Sequence, residues 1–488
     1  MIDQLFGFLG HYIPEIICIV LMTTLLVAES AVKDEHAPRT KIHIYTQLGL
    51  ALVLINLMLN LGEKPVHIFH NAVTIDPFST LMKIIMVIGS MGAIYLSHSS
   101  KDIYSNLKSE FSIMAIGVLI GGMLLASANN MLTLYLGIET LSILSYVLSS
   151  LKREESTSTE AGMKYVLYGG LSAGVALYGI SHLYGVFGSI QFVEIFGQIS
   201  ALEGTNLAIV LVSFLLFLVG IGYKISIFPF HMWTPDVYQG APIPVTTFFS
   251  IIPKMAGLAA LLRVCFVFLQ EGTSLTVSTV GLLLVISALT MTVGNVTAIG
   301  QSSVKRMLAF SSIGHVGMMI LGVAVLNDAG VQAILFYGIV YMFMTLVAFY
   351  ITGYLSDMYG TDSYDVFRGL IYKHPTMAII MACVLFSLAG MPPFSGFVAK
   401  FNILAVVIQK KYYGIAIVAV LNSVIALYYY MKLAKTVIFG QAEGDSKVIG
   451  FTRMNQTVII LFFIPVLFLG IFWESVMTMS GNASIFIK

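Results

Sequence analysis

Four ionisable side chains lie deep inside apolar runs: Glu139 in YLGIETLSIL, Lys224 in GIGYKISIFPF, Lys254 after Pro253, and Lys400 in SLAGMPPFSGFVAK. An ionised lysine at the centre of a hydrocarbon layer costs about 3 kcal/mol on insertion scales, so such groups are kept for chemistry or for pairing. Burial disfavours the charged form of a lysine and a nearby carboxylate restores it. A lysine balanced between these effects can take up and release protons near neutral pH. Glu139, the one acid placed at mid-span, is the natural counter-charge. His315, in SSIGHVGMM, is flanked by small residues that let helices approach closely, and an imidazole titrates in the range a shuttle needs. Lys164 stands near a helix end, from where its chain could instead reach the surface. The competing reading for each is a structural ion pair or a hydrogen-bonded packing residue. Lys83 and Arg263 lie nearer span ends and read as interface anchors. Tyr428–Tyr430 read as part of a helix, not as a stacking site. His67 and His70 have only Asp76 near them in sequence, so no metal site is expected.

The elements that must position these groups are membrane helices. Of 488 residues 58% are hydrophobic and 10% charged, where a soluble domain carries roughly 25% charged residues. A net charge of +1 gives no reason to expect a nucleic-acid partner. Cys18, Cys265 and Cys383 are isolated, without the paired spacing of a zinc or iron–sulfur site. The N-terminal MIDQLFGFLGHYIPE has no basic residue before its apolar run and reads as a retained helix. Apolar windows of ~20 residues predict an all-α integral membrane protein with about fourteen transmembrane helices. They lie near 12–30, 43–61, 78–98, 112–128, 130–150, 162–185, 206–239, 242–269, 276–297, 304–326, 330–355, 375–409, 412–438 and 455–479.

Two of these runs exceed one crossing and contain prolines, Pro229 in the first and Pro392–Pro393 in the second. Proline lacks an N–H and clashes with the preceding turn, so each run reads as two half-helices, the first broken near Ile227–Phe230. A broken helix with a lysine inside a membrane marks an ion pathway. The two breaks are five spans apart and run in opposite directions, as two inverted five-helix repeats require. The expected division is 1–111 (helices 1–3), 112–270 (first repeat), 271–440 (second repeat) and 441–488 (helix 14). Counted from the first span, the odd loops hold fifteen Lys and Arg, Lys305 among them, and the even loops with the tail hold four. By the positive-inside rule the odd loops face the cytoplasm and both termini lie outside.

The stretch Lys224–Thr247, KISIFPFHMWTPDVYQGAPIPVTT, resembles the antiporter-like membrane subunits of respiratory complex I, NADH–quinone oxidoreductase. LYLGIETLSILSYVL, MKYVLYG, KRMLAFSSIGHVGM and LSLAGMPPFSGFVAKF extend the resemblance from about Leu119 to Ile438, and TPDVYQGAP is nearest the subunit N branch. The resemblance implies a proton-translocating module. Glu139 and Lys224 would be its input pair, Lys254 its central relay and Lys400 its exit gate, with Lys164 and His315 along the same axis. It also implies a translocase subunit without redox chemistry of its own. FMN, iron–sulfur clusters and quinone are then expected on partner subunits, with no cofactor on this chain. Its partners would be the other membrane subunits and the lipid of an energy-transducing membrane. The alternative is a subunit of a secondary cation/proton antiporter with the same fold. A mere helical scaffold leaves the buried charges unexplained.

Overall fold

The computed structural model describes residues 10–31, 40–270, 272–441 and 451–484. Lys33, Arg39, Lys447, Lys488 and most of the N-terminal segment read above lie outside the described residues. Inside a bilayer no water is available to backbone N–H and C=O groups, so apolar segments must satisfy them within helices. The chain opens with α1 (Ile13–Ser30) and α2 (Thr40–Leu59). A hairpin of β1 (Val66–Ile68) and β2 (Val73–Ile75), paired antiparallel, leads into α3 (Pro77–Ser99). Then come α4 (Lys108–Ser127), α5 (Met131–Ser149), α6 (Ser156–Phe187) and the short α7 (Phe192–Ile199). Next are α8 (Gly204–Ile225), α9 (Trp233–Gly240), α10 (Ile243–Phe268), α11 (Ser274–Ile299), α12 (Val304–Ala324) and α13 (Asp328–Tyr359). A one-turn α14 (Leu370–Lys373) precedes α15 (Pro375–Ala389) and α16 (Ser395–Gln409). The last are α17 (Tyr413–Phe439), α18 (Arg453–Ile471) and α19 (Glu474–Ser484).

Among the described residues thirteen helices are long and apolar enough to cross a membrane. The shorter apolar α15 and α16 lie in the one run expected to make the remaining crossing, which gives the fourteen read from hydropathy. α10, α12 and α13 are buried along nearly their whole length and form the centre, whereas α1, α2, α17 and α18 turn most of their surface outward. The fourteenth span is shorter than expected: α18 stops at Ile471 and a separate helix, α19, packs back on α13.

Alternate turns gather on opposite faces. The turns after α2, α4 and α6 meet near Asn129, whose N–H bonds Ala72 O and whose carbonyl accepts from Phe192 N. On the other face one large cavity is walled by Asp102, Lys152, Asp236, Lys305 and Asp362, drawn from five successive odd loops or the helix ends beside them. Lys305, counted above with the loop charges, is buried in the first turn of α12 and donates to Gln239 O and Ala241 O. It ties the end of α9 to α12.

Both expected breaks occur. α8 ends at Ile225 and Ser226 takes a left-handed φ of 64° before α9 resumes at Trp233. The freed groups find partners: Phe228 N donates to Thr290 Oγ1, and Thr234 Oγ1 to Ser226 Oγ. α15 ends at Ala389, and Gly390 turns the chain at φ 89° into α16. A side chain at Gly390 would be strained at that φ and would also come within 2.8 Å of the Lys400 Cδ.

Candidate functional site

Lys224 occupies the last turn of α8, where cations are favoured by the unpaired carbonyls of a helix C-terminus. It is 2% exposed, and its Nζ has no hydrogen-bond partner. Three tyrosine faces surround it instead, with Nζ 5.2 Å from the Tyr165 ring centroid, 5.3 Å from Tyr146 and 5.4 Å from Tyr223. These rings come from α6, α5 and α8. Trp233, at the start of α9, stacks on Tyr165 at 4.3 Å and donates its indole N–H to Tyr223 O, so the break itself buttresses the cage.

Glu139, on α5, makes no ion pair with Lys224 within 4 Å, although it lies close enough to act on it electrostatically. Its Oε1 is buried and unpartnered. The expected counter-charge is therefore a near neighbour, not a contact.

From Lys224 the ionisable groups continue inward. A Cβ placed on Gly257 of α10 would stand 3.3 Å from Lys224 Cβ. Lys254 is three residues before Gly257, about 4.5 Å along the same helix and on the same side. Lys254 is buried, and its Nζ donates to Ser312 Oγ on α12. Ser312 and His315 are three apart on α12 and so share a face. His315 uses both ring nitrogens: Nδ1 is 2.8 Å from Tyr337 Oη, and Nε2 is 3.1 Å from Tyr430 Oη, which reaches on to Ser311 Oγ at 2.6 Å. A small cavity of about 20 Å³ is lined by both His315 and Lys400. Lys400 Nζ donates to Leu388 O at 2.9 Å and Ala389 O at 2.8 Å, the end carbonyls of α15. The second break thus presents free carbonyls to the amine five spans after the first.

Lys164 is placed differently. It is 36% exposed at the wall of the large odd-loop cavity, about 820 Å³ in volume. It pairs with Glu160 at 2.7 Å and Asp236 at 2.8 Å, and Asp236 also holds Arg306 at 2.9 Å. It belongs to the vestibule and not to the buried line.

Two groups read as interface anchors are buried ion pairs. Lys83 Nζ lies 2.6 Å from Glu15 Oε1, each side chain 1% exposed. Arg263 Nη2 bridges both Asp76 oxygens at 3.0 and 2.9 Å, and its Nε donates to Ala126 O. Of the two histidines not expected to bind a metal, His67 uses Nδ1 on Thr74 Oγ1. Sequence reasoning missed the tyrosines 146, 165, 223, 337 and 430 and Ser312. The available signal was tyrosine at mid-span, away from the interfacial belts where it usually sits.

Residues 128–426 match the family described as NADH:quinone oxidoreductase/Mrp antiporter, transmembrane. The chain belongs to this family. It is 38% identical over 450 residues to NADH-quinone oxidoreductase subunit N of Bartonella bacilliformis, covering 90% of this chain and 91% of that one. With subunit N 2 of Sorangium cellulosum it shares 36% over 488 residues, 96% of each. A chain of respiratory complex I from Thermus thermophilus with bound Aureothin has a TM-score of 0.81 at 29% identity, over 96% of this chain and 99% of that one. A chain of the Mrp complex from Dietzia sp. shares the fold at 20% identity with a TM-score of 0.82, over 98% and 97%. The family match contains Glu139, Lys164, Lys224, Lys254, His315 and Lys400, whereas Glu15, Asp76 and Lys83 precede it.

Proposed function

We propose that this chain is a proton-translocating membrane subunit of an NADH–quinone oxidoreductase, and that Glu139, Lys224, Lys254, His315 and Lys400 relay the protons. The observation that supports it most is the line of buried ionisable and hydroxyl groups that runs from the Tyr-caged Lys224 to the carbonyl-held Lys400. Structural glue alone does not need an ammonium without a hydrogen-bond partner, since buried charges are expensive unless paired.

In this reading Glu139 and Lys224 form the input pair, joined through water, because water-mediated bonds conduct polar contact across gaps that direct bonds cannot. A proton on Lys224 raises the potential at Lys254 and drives the next transfer. Such coupling between like charges is worth about 4 kcal/mol at 4 Å and an effective dielectric near 20, and less at longer spacing. Lys254 passes its proton by way of Ser312 and His315, and Lys400 releases it. Lys164 serves the vestibule from which protons are drawn, in a secondary role. The two broken helices stand as corresponding parts of inverted five-helix repeats. The odd loops face the cytoplasm and the termini lie outside, in an energy-transducing membrane. Redox chemistry resides on partner subunits that hold FMN, iron–sulfur clusters and quinone.

Lys254→Ala in the assembled complex tests the relay: fewer protons translocated per electron are expected, with NADH oxidation continuing. An unchanged ratio rejects the relay. Purification by a tag on this chain is expected to bring NADH dehydrogenase activity with it. Its absence, with sodium/proton exchange in its place, favours the antiporter reading.

A further inference from the structure

We propose that Glu15 and Lys83 form a second proton-binding site, in the N-terminal helices and apart from the lysine line, that exchanges protons with the even-loop face. The pair joins α1 to α3, with both side chains 1% exposed and Nζ 2.6 Å from Oε1. Both carboxylate oxygens are buried and neither makes a hydrogen bond, Oε1 meeting the ammonium only as an ion pair. A structural ion pair gains from burial only when the remaining lone pairs are satisfied, and here neither oxygen is hydrogen-bonded. A proton can pass from Lys83 Nζ to Glu15 Oε1 once the two side chains turn into line. The products are an amine and a carboxylic acid, and the net charge of the pair is zero before and after. A further proton taken from water leaves Glu15 neutral and Lys83 charged.

Access is built in. Lys83 and Thr80 line a cavity of about 20 Å³ on the even-loop side, roughly enough for one water. Its outer wall carries His11, Asn60 and Glu63, and His11 Nδ1 stands 3.6 Å from Glu63 Oε2 with both side chains well exposed. An imidazole thus sits at the mouth and the amine of the pair at the base. Asp76, which also lines the cavity, is held by Arg263, and Lys64 stands at the mouth. Tyr12, just before α1, and Cys18 of α1 share the carboxylate's surroundings. The site lies outside the stretch that matches the family, and it does not depend on the relay proposed above.

Two measurements on the assembled complex test it. Infrared difference spectra recorded across a pH titration in D2O are expected to show a buried carboxylic-acid band that Glu15→Gln removes. No difference between Glu15→Gln and the parent at any pH overturns the proposal. If Glu15→Gln does not assemble, the exchanged pair Glu15→Lys with Lys83→Glu keeps the charges. The band is then expected to shift, and an unshifted band overturns the site. Thr80→Cys, which leaves both charges in place, tests access with a small water-soluble methanethiosulfonate added from the even-loop side. Labelling above the parent chain is expected, and none overturns the connection to that face. Neither readout uses proton pumping, so both are independent of the lysine relay.

Discussion

Lys224 Nζ lies 5.2 Å from the centre of the Tyr165 ring and makes no hydrogen bond. An amine held by aromatic faces instead of carbonyls keeps its lone pair free once deprotonated, which a group that cycles between two states needs. A cation–π contact contributes about 0.5–2 kcal/mol, so its loss changes the balance of states by roughly twofold to thirtyfold. Tyr165→Phe keeps the ring and is expected to leave proton translocation within a factor of about two by that measure. Tyr165→Leu removes the face and the stack on Trp233 and is expected to slow translocation toward the upper figure. Proton uptake by the reconstituted complex, normalised to NADH oxidation, checks both.

His315 is held between two phenols, Tyr337 at 2.8 Å and Tyr430 at 3.1 Å. A neutral imidazole has one donor and one acceptor nitrogen, so the two phenols stand in unlike roles, and a proton moving through the ring exchanges them. Tyr430→Phe interrupts the link to Ser311 and leaves a buried ring nitrogen unpartnered, a loss of about 1–3 kcal/mol. The expected result is lower translocation with assembly intact. His315→Ala combined with Tyr430→Phe is expected to be no worse than His315→Ala alone, because the two act as one unit. Additive losses in a double-mutant cycle would separate them.

Hydropathy and proline placement located the crossings and both breaks, because a bilayer leaves the backbone few alternatives. Lys224, Lys254, His315 and Lys400 stood out as costly groups in apolar runs, and all four are buried. Their environments were not legible. The cage around Lys224 draws residues 146, 165 and 223 from three helices, and nothing in local spacing links them. Lys83 looked like an anchor because it falls near a span end, and its partner Glu15 is 68 positions away on a helix whose packing only the fold reveals. Lys305 looked like a loop charge because one residue separates it from the end of α12, yet carbonyls from the end of α9 enclose it.

Arg263 and Lys164 make a direct comparison of buried and exposed pairing. Arg263 is buried against Asp76, which also accepts from Ser79 N to cap α3. Removing one partner of such a pair leaves an uncompensated charge, at a cost of about 3–5 kcal/mol. Lys164 is one-third exposed, and pairs of that kind contribute about 0–1 kcal/mol. Arg263→Met is therefore expected to lower the thermal midpoint in detergent strongly, and Lys164→Met hardly at all. Comparable shifts for the two would contradict the burial of the first.

Asp102 and Lys152 set the pH response of the odd-loop vestibule. Burial pushes the Asp102 carboxyl up, but Lys305 nearby, the Lys152 ammonium at 2.5 Å and the Ile243 N–H outweigh it and hold it below the usual carboxylate range. Lys152 loses ground to burial and regains more from Asp102 and Glu155, which hold it above the usual lysine range. A depressed carboxyl contributes stability that is present above its unfolded value, ~3.9, and is lost as acid titrates the folded group. A raised lysine contributes stability that is present below its unfolded value, ~10.4, and is lost as pH rises through the folded value. The pair is thus expected to leave the thermal midpoint flat between these limits. Asp102→Asn is expected to melt below the parent at neutral pH, with the gap narrowing as pH falls below ~3.9, where the unfolded chain takes up the proton, and closing once acid titrates the folded carboxyl. Melting curves of the two complexes at neutral and acid pH measure that gap, and a gap that persists undiminished in acid would place the stabilising interaction elsewhere.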